Sequence, residues 1–241
     1  MRGLIAFLIP FISLFGLVPR SQPVELKTSI IIPCHSKHVQ HLPAMLQCLA
    51  EQTVVPDEVV VCFTRSQVPT APTIAADYPF EVHFAFTDRT YPANARNTAC
   101  EESRGELLIC QDADDLPHPQ RVEIIKYLFE HYQIDLLIHR WSPSSEVFEP
   151  YTIEGSISLA HSIERYAEVE SQFDFIHNGS PAMLKAVSRK VKWPPTPLRE
   201  DMIFNAEAFR FFPHKVVLDE RLVIYRFELS SYKDRYAHPR G

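Results

Sequence analysis

The sequence predicts an α/β protein with a mostly parallel central sheet flanked by helices, in a single domain after an N-terminal hydrophobic segment. Three observations carry this prediction. Strand-length apolar runs alternate with amphipathic helical patterns from about residue 29 to residue 140. The runs are continuous rather than alternating, as in strands buried on both faces. One of them, Gly105-Glu106-Leu107-Leu108-Ile109-Cys110-Gln111, ends in Asp112-Ala113-Asp114-Asp115, three carboxylates within four residues. The carboxyl ends of strands are where open α/β sheets bind ligands.

Taken in order, Leu4–Val18 is a fifteen-residue stretch, almost wholly apolar, with Arg2 before it and Pro19-Arg20 after it. A spanning helix needs roughly 20 residues, so residues 1–20 read as a signal or short anchor outside the fold. Membrane association through residues 4–18 is expected, with the domain itself cytoplasmic; secretory or lumenal placement is the alternative. A first strand reads Ser29-Ile30-Ile31-Ile32, stopped by Pro33. Leu42, Met45, Leu46 and Leu49 then follow helical spacing, with Pro43 in the first turn. Glu58–Phe63 is a second strand, the Pro- and Thr-rich Ser66–Pro79 a loop, and Glu81–Phe86 a third strand. Pro92 opens a helix running to about Ser103, with Gly105 as its stop. After the acid-bearing strand, Arg121–Tyr132 reads as a helix and Asp135–His139 as a strand. Beyond residue 140 the pattern weakens. Phe173–His177, Val216–Leu218 and Leu222–Tyr225 read as strands, and Pro181–Ser188 and Asp201–Phe211 as helices.

Composition narrows the function. Net charge is −6 with no basic block, which argues against a nucleic-acid partner. Only six glycines occur, and neither G-x-G-x-x-G nor G-x-x-x-x-G-K-[ST] is present, so Gly-rich phosphate cradles are unsupported. The five cysteines, Cys34, Cys48, Cys62, Cys100 and Cys110, include no C-x-x-C pair and read as free thiols, mostly buried. His35, His38 and His41 are spaced by three, but with Pro43 close and no acid beside them they read as a solvated loop and first turn.

Like-charged carboxylates crowd together when a cation holds them, and Mg²⁺ and Mn²⁺ prefer oxygen ligands. Asp112 and Asp114, two apart, would face one side if the strand continued. A turn or helix-capping use of the same acids is the simpler alternative, above all for Asp115. Trp141 and Trp193 are candidates for stacking on a sugar, with ordinary packing the more frequent use.

The ordered motifs resemble those of glycosyltransferase family 2, which has the GT-A fold. They are Ser29-Ile30-Ile31-Ile32-Pro33, Gln52-Thr53, Pro56-Asp57-Glu58-Val59-Val60-Val61, Ala95-Arg96-Asn97, Asp112-Ala113-Asp114-Asp115, Glu200-Asp201 and Tyr225-Arg226 followed by Ser230 or Ser231. The resemblance runs from about Ser29 to Ser231. It implies a nucleotide-sugar-binding half over residues 28–140 and an acceptor-binding and catalytic half over 141–232. It implies a metal-dependent, inverting transfer of a sugar from a nucleotide-diphosphate donor to a hydroxyl of a glycan, lipid or other acceptor. Asp201 would be the general base and Glu200 an orienting group. Asp112 would contact the nucleotide and Asp114 would ligate Mn²⁺ or Mg²⁺, with Asp112 beside it. Pro33, Arg96 and Arg226 would complete the donor site, and His177-Asn178-Gly179-Ser180 would form an acceptor shelf. One departure stands out: the second strand ends in Phe63-Thr64-Arg65-Ser66, without the acid that contacts the base in the family. A non-catalytic relative is the rival reading. A nucleotidyltransferase is the weaker one, since Pro33-Cys34-His35-Ser36-Lys37 contains no Gly-rich loop.

Overall fold

The computed structural model describes residues 16–64, 77–143 and 147–229. Most of the N-terminal apolar stretch, most of the Ser66–Pro79 loop, Arg65, and Ser230 and Ser231 lie outside the described residues. Among the described residues, no helix is long and apolar enough to cross a membrane.

Strands β1 (Thr28–His35), β2 (Glu58–Thr64), β3 (Glu81–Thr87) and β4 (Leu107–Cys110) are mutually parallel, in the order β3-β2-β1-β4. Alternate residues of each strand enter different cores. Ile30, Ile32, Val59, Val61, Leu107 and Ile109 pack with helices α1 (Leu42–Ala50) and α3 (Arg121–His131). Ile31, Val60, Cys62, Leu108 and Cys110 face helices α2 (Pro92–Glu102), α6 (Lys185–Lys190) and α7 (Glu200–Phe211). A sheet covered on both sides explains the unbroken apolar runs.

Pro33 does not stop the first strand, which continues to His35 in register with β2. The Ile31 carbonyl accepts from Gln111 N–H on the β4 side. Two residues on, the missing N–H of Pro33 faces that same side, past the last paired residue of β4, so no ladder bond is lost. Gly105 is not a left-handed helix stop either. A Cβ there would lie 2.4 Å from Ser29 Oγ and 2.8 Å from both Lys27 O and Ser29 N. Glycine is required because the chain passes hard against β1 on entering β4.

The second half is mixed. β8 (Ala182–Leu184) runs antiparallel to both β4 and β6 (Leu136–Pro143), and β6 is parallel to β9 (Lys215–Tyr225). Pro181–Ser188 is therefore a short strand followed by a helix, not one helix. The Ala-Met-Leu segment favours a helix locally, but the buried edges of β4 and β6 need a backbone partner, and that requirement wins. The two strands expected at Val216–Leu218 and Leu222–Tyr225 are one. Register shifts against β6 after His139 and after Arg140 accommodate the charged Asp219-Glu220-Arg221 as an irregularity. Phe173–His177 is not a strand: only Ile176 forms a bridge, with Arg140, and Phe175 has φ 57°. Short elements without a clear sequence signal complete the layer: β5 (Leu116–Pro117), α4 (Ile153–Ser158), β7 (Ala160–Ser162) and α5 (Tyr166–Gln172). Because β6 and β9 run in the direction of β4, their carboxyl ends share an edge of the sheet with those of β1 and β2.

Candidate active site

The acids are grouped by a turn, not by the period of a continuing strand. After Gln111 the chain folds back, and Asp115 N–H donates to the Asp112 carbonyl at 3.2 Å. The turn is braced from beneath. Gln111 Nε2 donates to the carbonyls of Asp112 and Asp115, at 3.1 and 3.2 Å. Gln111 Oε1 accepts from Arg121 Nη1 at 2.8 Å. Arg121, 1% exposed, also donates to Cys110 O, Ser180 O and His139 Nε2. Burial and the Arg121 charge hold His139 well below its usual pKa, so its Nε2 is free to accept.

Asp115 is not a helix cap. The residue before α3 is Gln120, and Asp115 is 1% exposed, with Oδ2 3.1 Å from His177 Nε2 and Oδ1 accepting from Arg226 N–H at 3.0 Å. The Asp115 carboxylate raises the His177 pKa against the opposing effect of burial. Arg226 Nε also donates to the Asp114 carbonyl. Arg226 thus ties the end of β9 to the acid turn.

Each residue of Ala95-Arg96-Asn97 has a structural use. Ala95 is fully buried under the sheet. Arg96, 4% exposed, donates from Nη2 to Asp112 Oδ1 at 2.7 Å and from Nη1 to Glu200 Oε1 at 3.0 Å. The two carboxylates raise its pKa despite complete burial. Asn97 exchanges two hydrogen bonds with the Trp193 backbone, at 2.9 and 3.0 Å, which fixes the segment leading to α7. Arg199, in the left-handed region at φ 59°, then turns the chain into the Glu200-Asp201 helix start.

The expected acceptor shelf at 177–180 is mostly buried, with Asn178 half-buried, and its residues brace the acid turn and its surroundings. His177 holds Asp115, Asn178 is bonded by Tyr166 and Asn205, and Ser180 O accepts from Arg121. At Gly179 a Cβ would lie 3.0 Å from Asp112 Oδ2 and 3.3 Å from Arg96 Nη2. Glycine at this position lets the backbone approach the acid turn closely.

Beside the turn, a cleft of about 370 Å³ opens at the carboxyl edge of the sheet. Pro33, Thr64, Arg96, Asp112, Asp114 and Glu200 are among its lining residues. Asp114 is nearly buried, and desolvation with Asp112 and Asp115 nearby pushes its carboxyl up to about 7. Its Oδ1 lies 3.6 Å from His38 Nδ1, too far for a hydrogen bond. The acid next to His38 was invisible in the sequence because it lies 76 positions away. Thr64 Oγ1, where the family has its acid, is buried without a hydrogen-bond partner among the described residues. Asp201 is half-buried just outside the cleft lining, its Oδ1 against Met202 N–H at 2.8 Å.

The structure also brings together a candidate metal-ligating group that the sequence did not single out. Single donor atoms of Asp112, Asp115 and His177 all lie within 4.8 Å of one another. Ligands on one ion at 2.0–2.2 Å are separated by up to about 4.4 Å, so a small contraction closes the set. His177 Nδ1 is buried and has no hydrogen-bond partner among the described residues. The two carboxylates suit Mn²⁺ or Mg²⁺, whereas an imidazole suits transition metals rather than Mg²⁺.

The arrangement, a parallel half joined to a mixed half with an acid turn between them, is that of the GT-A glycosyltransferases. TarS of S. aureus (residues 1–349) superimposes with a TM-score of 0.64 and 19% identity, covering 88% of this chain and 62% of that one. The mannosyltransferase PcManGT from Pyrobaculum calidifontis, in complex with GDP-Man and Mn²⁺, gives 0.62 and 17%, covering 92% of this chain and 62% of that one. Glucosyl-3-phosphoglycerate synthase from Mycobacterium tuberculosis, with Mn²⁺, UDP and glucosyl-3-phosphoglycerate, gives 0.62 and 14%, covering 88% and 75%. The chain thus spans less than two thirds of the length of the first two. No curated protein sequence matches it. The family model for glycosyl transferase family 2 matches residues 29–191, more than half of the chain. The chain belongs to glycosyl transferase family 2.

Proposed function

We propose that the protein transfers a sugar from a nucleotide-diphosphate donor to an acceptor hydroxyl, with Mn²⁺ or Mg²⁺, by a single inverting displacement. The observation that carries this is the charge of the cleft. Asp112, Asp114 and Glu200 line it against Lys37 and Arg96, and Arg96 is already engaged by two of the three carboxylates. A diphosphate would meet net repulsion there unless a divalent cation intervened. Asp112 and Asp114 are the ligands we propose, with Asp115 and His177 the further pair within reach of Asp112. Bound there, the metal would neutralise the leaving diphosphate.

The chain's own residues do the rest. Arg96 holds Asp112 and Glu200 in fixed relation across the cleft. Thr64 and Pro33 border the donor side. Asp201 takes the proton of the acceptor hydroxyl as its oxygen bonds to the anomeric carbon and the carbon–oxygen bond to the diphosphate breaks. One residue beyond the cleft-lining Glu200, it stands where an entering acceptor would meet it. Residues 1–20 keep their reading as a targeting or anchoring segment.

The test is a donor screen with UDP- and GDP-sugars, with and without Mn²⁺, on the wild type, Asp114→Ala and Asp201→Asn. Metal-dependent turnover that both substitutions abolish is expected. Unchanged turnover in Asp201→Asn removes that residue as base. Failure to bind any nucleotide favours the non-catalytic reading.

A further inference from the structure

A group of aromatic side chains stands next to the cleft, with one member, Tyr225, in its lining. Trp141, near the carboxyl end of β6, packs edge-to-face with Phe175 (centroids 5.2 Å apart, 79°) and with Tyr225 at 5.4 Å. Tyr225 in turn contacts the His177 ring at 5.5 Å and lines the cleft. The other tryptophan has a different use: Trp193 is 1% exposed and stacked on Phe204 at 3.7 Å, inside the core.

Phe175 is the unexpected member. It is 49% exposed and held at φ 57°, in the left-handed region. A bulky side chain there is strained, and glycine would relieve the strain. Its carbonyl is fixed by Trp141 N–H at 2.8 Å, and the Arg221 guanidinium lies 5.7 Å from its ring. An exposed aromatic on a strained backbone contributes little to the core, and strain of this kind collects at binding sites.

Its place in the fold says what it would bind. The donor-side residues Pro33 and Thr64 lie near the carboxyl end of β1 and at the end of β2, and the acid turn follows β4. Trp141, Tyr225 and Phe175 lie on the same edge across the turn, on the β6–β9 side. In a single displacement the acceptor oxygen attacks the anomeric carbon from the side opposite the leaving diphosphate, so the acceptor belongs on that side. Aromatic rings carry a negative face that attracts polarised C–H groups. The C–H face of a pyranose supplies them, and a simple polyol does not supply them as one flat array.

We propose that Trp141, Phe175 and Tyr225 form the acceptor subsite and that it takes a pyranose ring, so that the acceptor is itself a glycoside. This rests on reading the cleft as the nucleotide-sugar site. The test is saturation-transfer NMR on the full chain with Mn²⁺ and UDP or GDP, using methyl β-D-galactopyranoside, methyl β-D-glucopyranoside and glycerol as probes. Saturation of the ring C–H protons of a glycoside is expected, and none of glycerol. Trp141→Ala and Phe175→Gly should weaken glycoside binding by about tenfold or more, with the affinity for the metal–nucleotide complex unchanged. Phe175→Gly should melt no lower than the wild type, which separates loss of a ligand contact from loss of folding. Equal glycoside binding by wild type and variants, or glycerol saturating as strongly, overturns the proposal. Glycoside binding at the aromatic subsite without any nucleotide binding supports the subsite and overturns the glycosyl-transfer reading instead.

Discussion

At the scale of single residues, the acid turn divides its labour by burial. Asp115 is sealed beneath the surface with His177 and the Arg226 backbone, whereas Asp114 faces the cleft with its carboxyl raised to about 7. A metal bound at the proposed site would have to displace the proton from Asp114. Mn²⁺ affinity, measured by calorimetry, should rise about tenfold per pH unit below that value and level off above it. In Asp114→Asn the slope should vanish along with most of the affinity. Gly179 offers a second test. In Gly179→Ala the new methyl group, 3.0 Å from Asp112 Oδ2, must push the carboxylate aside or be accommodated by the backbone. Weaker Mn²⁺ binding with a modest loss of stability, about 1–2 kcal/mol, is expected. The Asp112-Asp114-Asp115 spacing was legible because like charges cluster visibly in a sequence. The partners that give each acid its character, Arg96, His177 and Arg226, are brought in by chain segments far away and carry no local signal.

At the scale of elements, the buried Arg121 links four pieces of the fold. It opens α3 and bonds the end of β4, the Gln111 side chain, the segment before β8 and His139 of β6. The helical pattern of Arg121–Tyr132 was readable, but an arginine at a helix start reads as solvated surface. Nothing nearby revealed that it would be enclosed. Arg121→Met leaves several buried acceptors unpaired and should cost about 3–5 kcal/mol in denaturant unfolding. Gly105→Ala at the entry to β4 should be similarly severe, because Lys27 O and Ser29 N are backbone atoms that cannot rotate away. The elements that sequence patterning missed or misread, β5, β7, β8, α4 and α5, are short. Each exists through tertiary partners rather than through its own periodicity.

At the scale of the whole molecule, buried acids set the response of the metal-free protein to pH. Glu220, 2% exposed and bonded by Ser156 Oγ, has its carboxyl raised to about 7, chiefly by burial, as Asp114 does. In the unfolded chain these groups titrate near 4. A folded-state value above the unfolded one gives stability that is complete below about pH 4 and is lost as pH rises toward 7. With these acids dominating the balance, the metal-free melting temperature should fall from pH 5 to pH 8. Glu220→Gln should flatten that fall, and Mn²⁺ should restore stability at pH 8. By itself the sequence determined the parallel half, the helices that cover it and the strand whose end carries the acids. Long apolar runs and helical periodicity are local properties, and they survive in any context that buries them. Only the tertiary structure decided that Pro33 lies within a strand, that 177–180 supports the acid turn and that Asp115 is sealed with His177. It also set Trp141 and Phe175 beside the cleft, while Trp193 went to the core. Each of these depends on which distant segment fills a neighbouring space, and packing between remote parts of the chain is settled only when the whole sheet has formed.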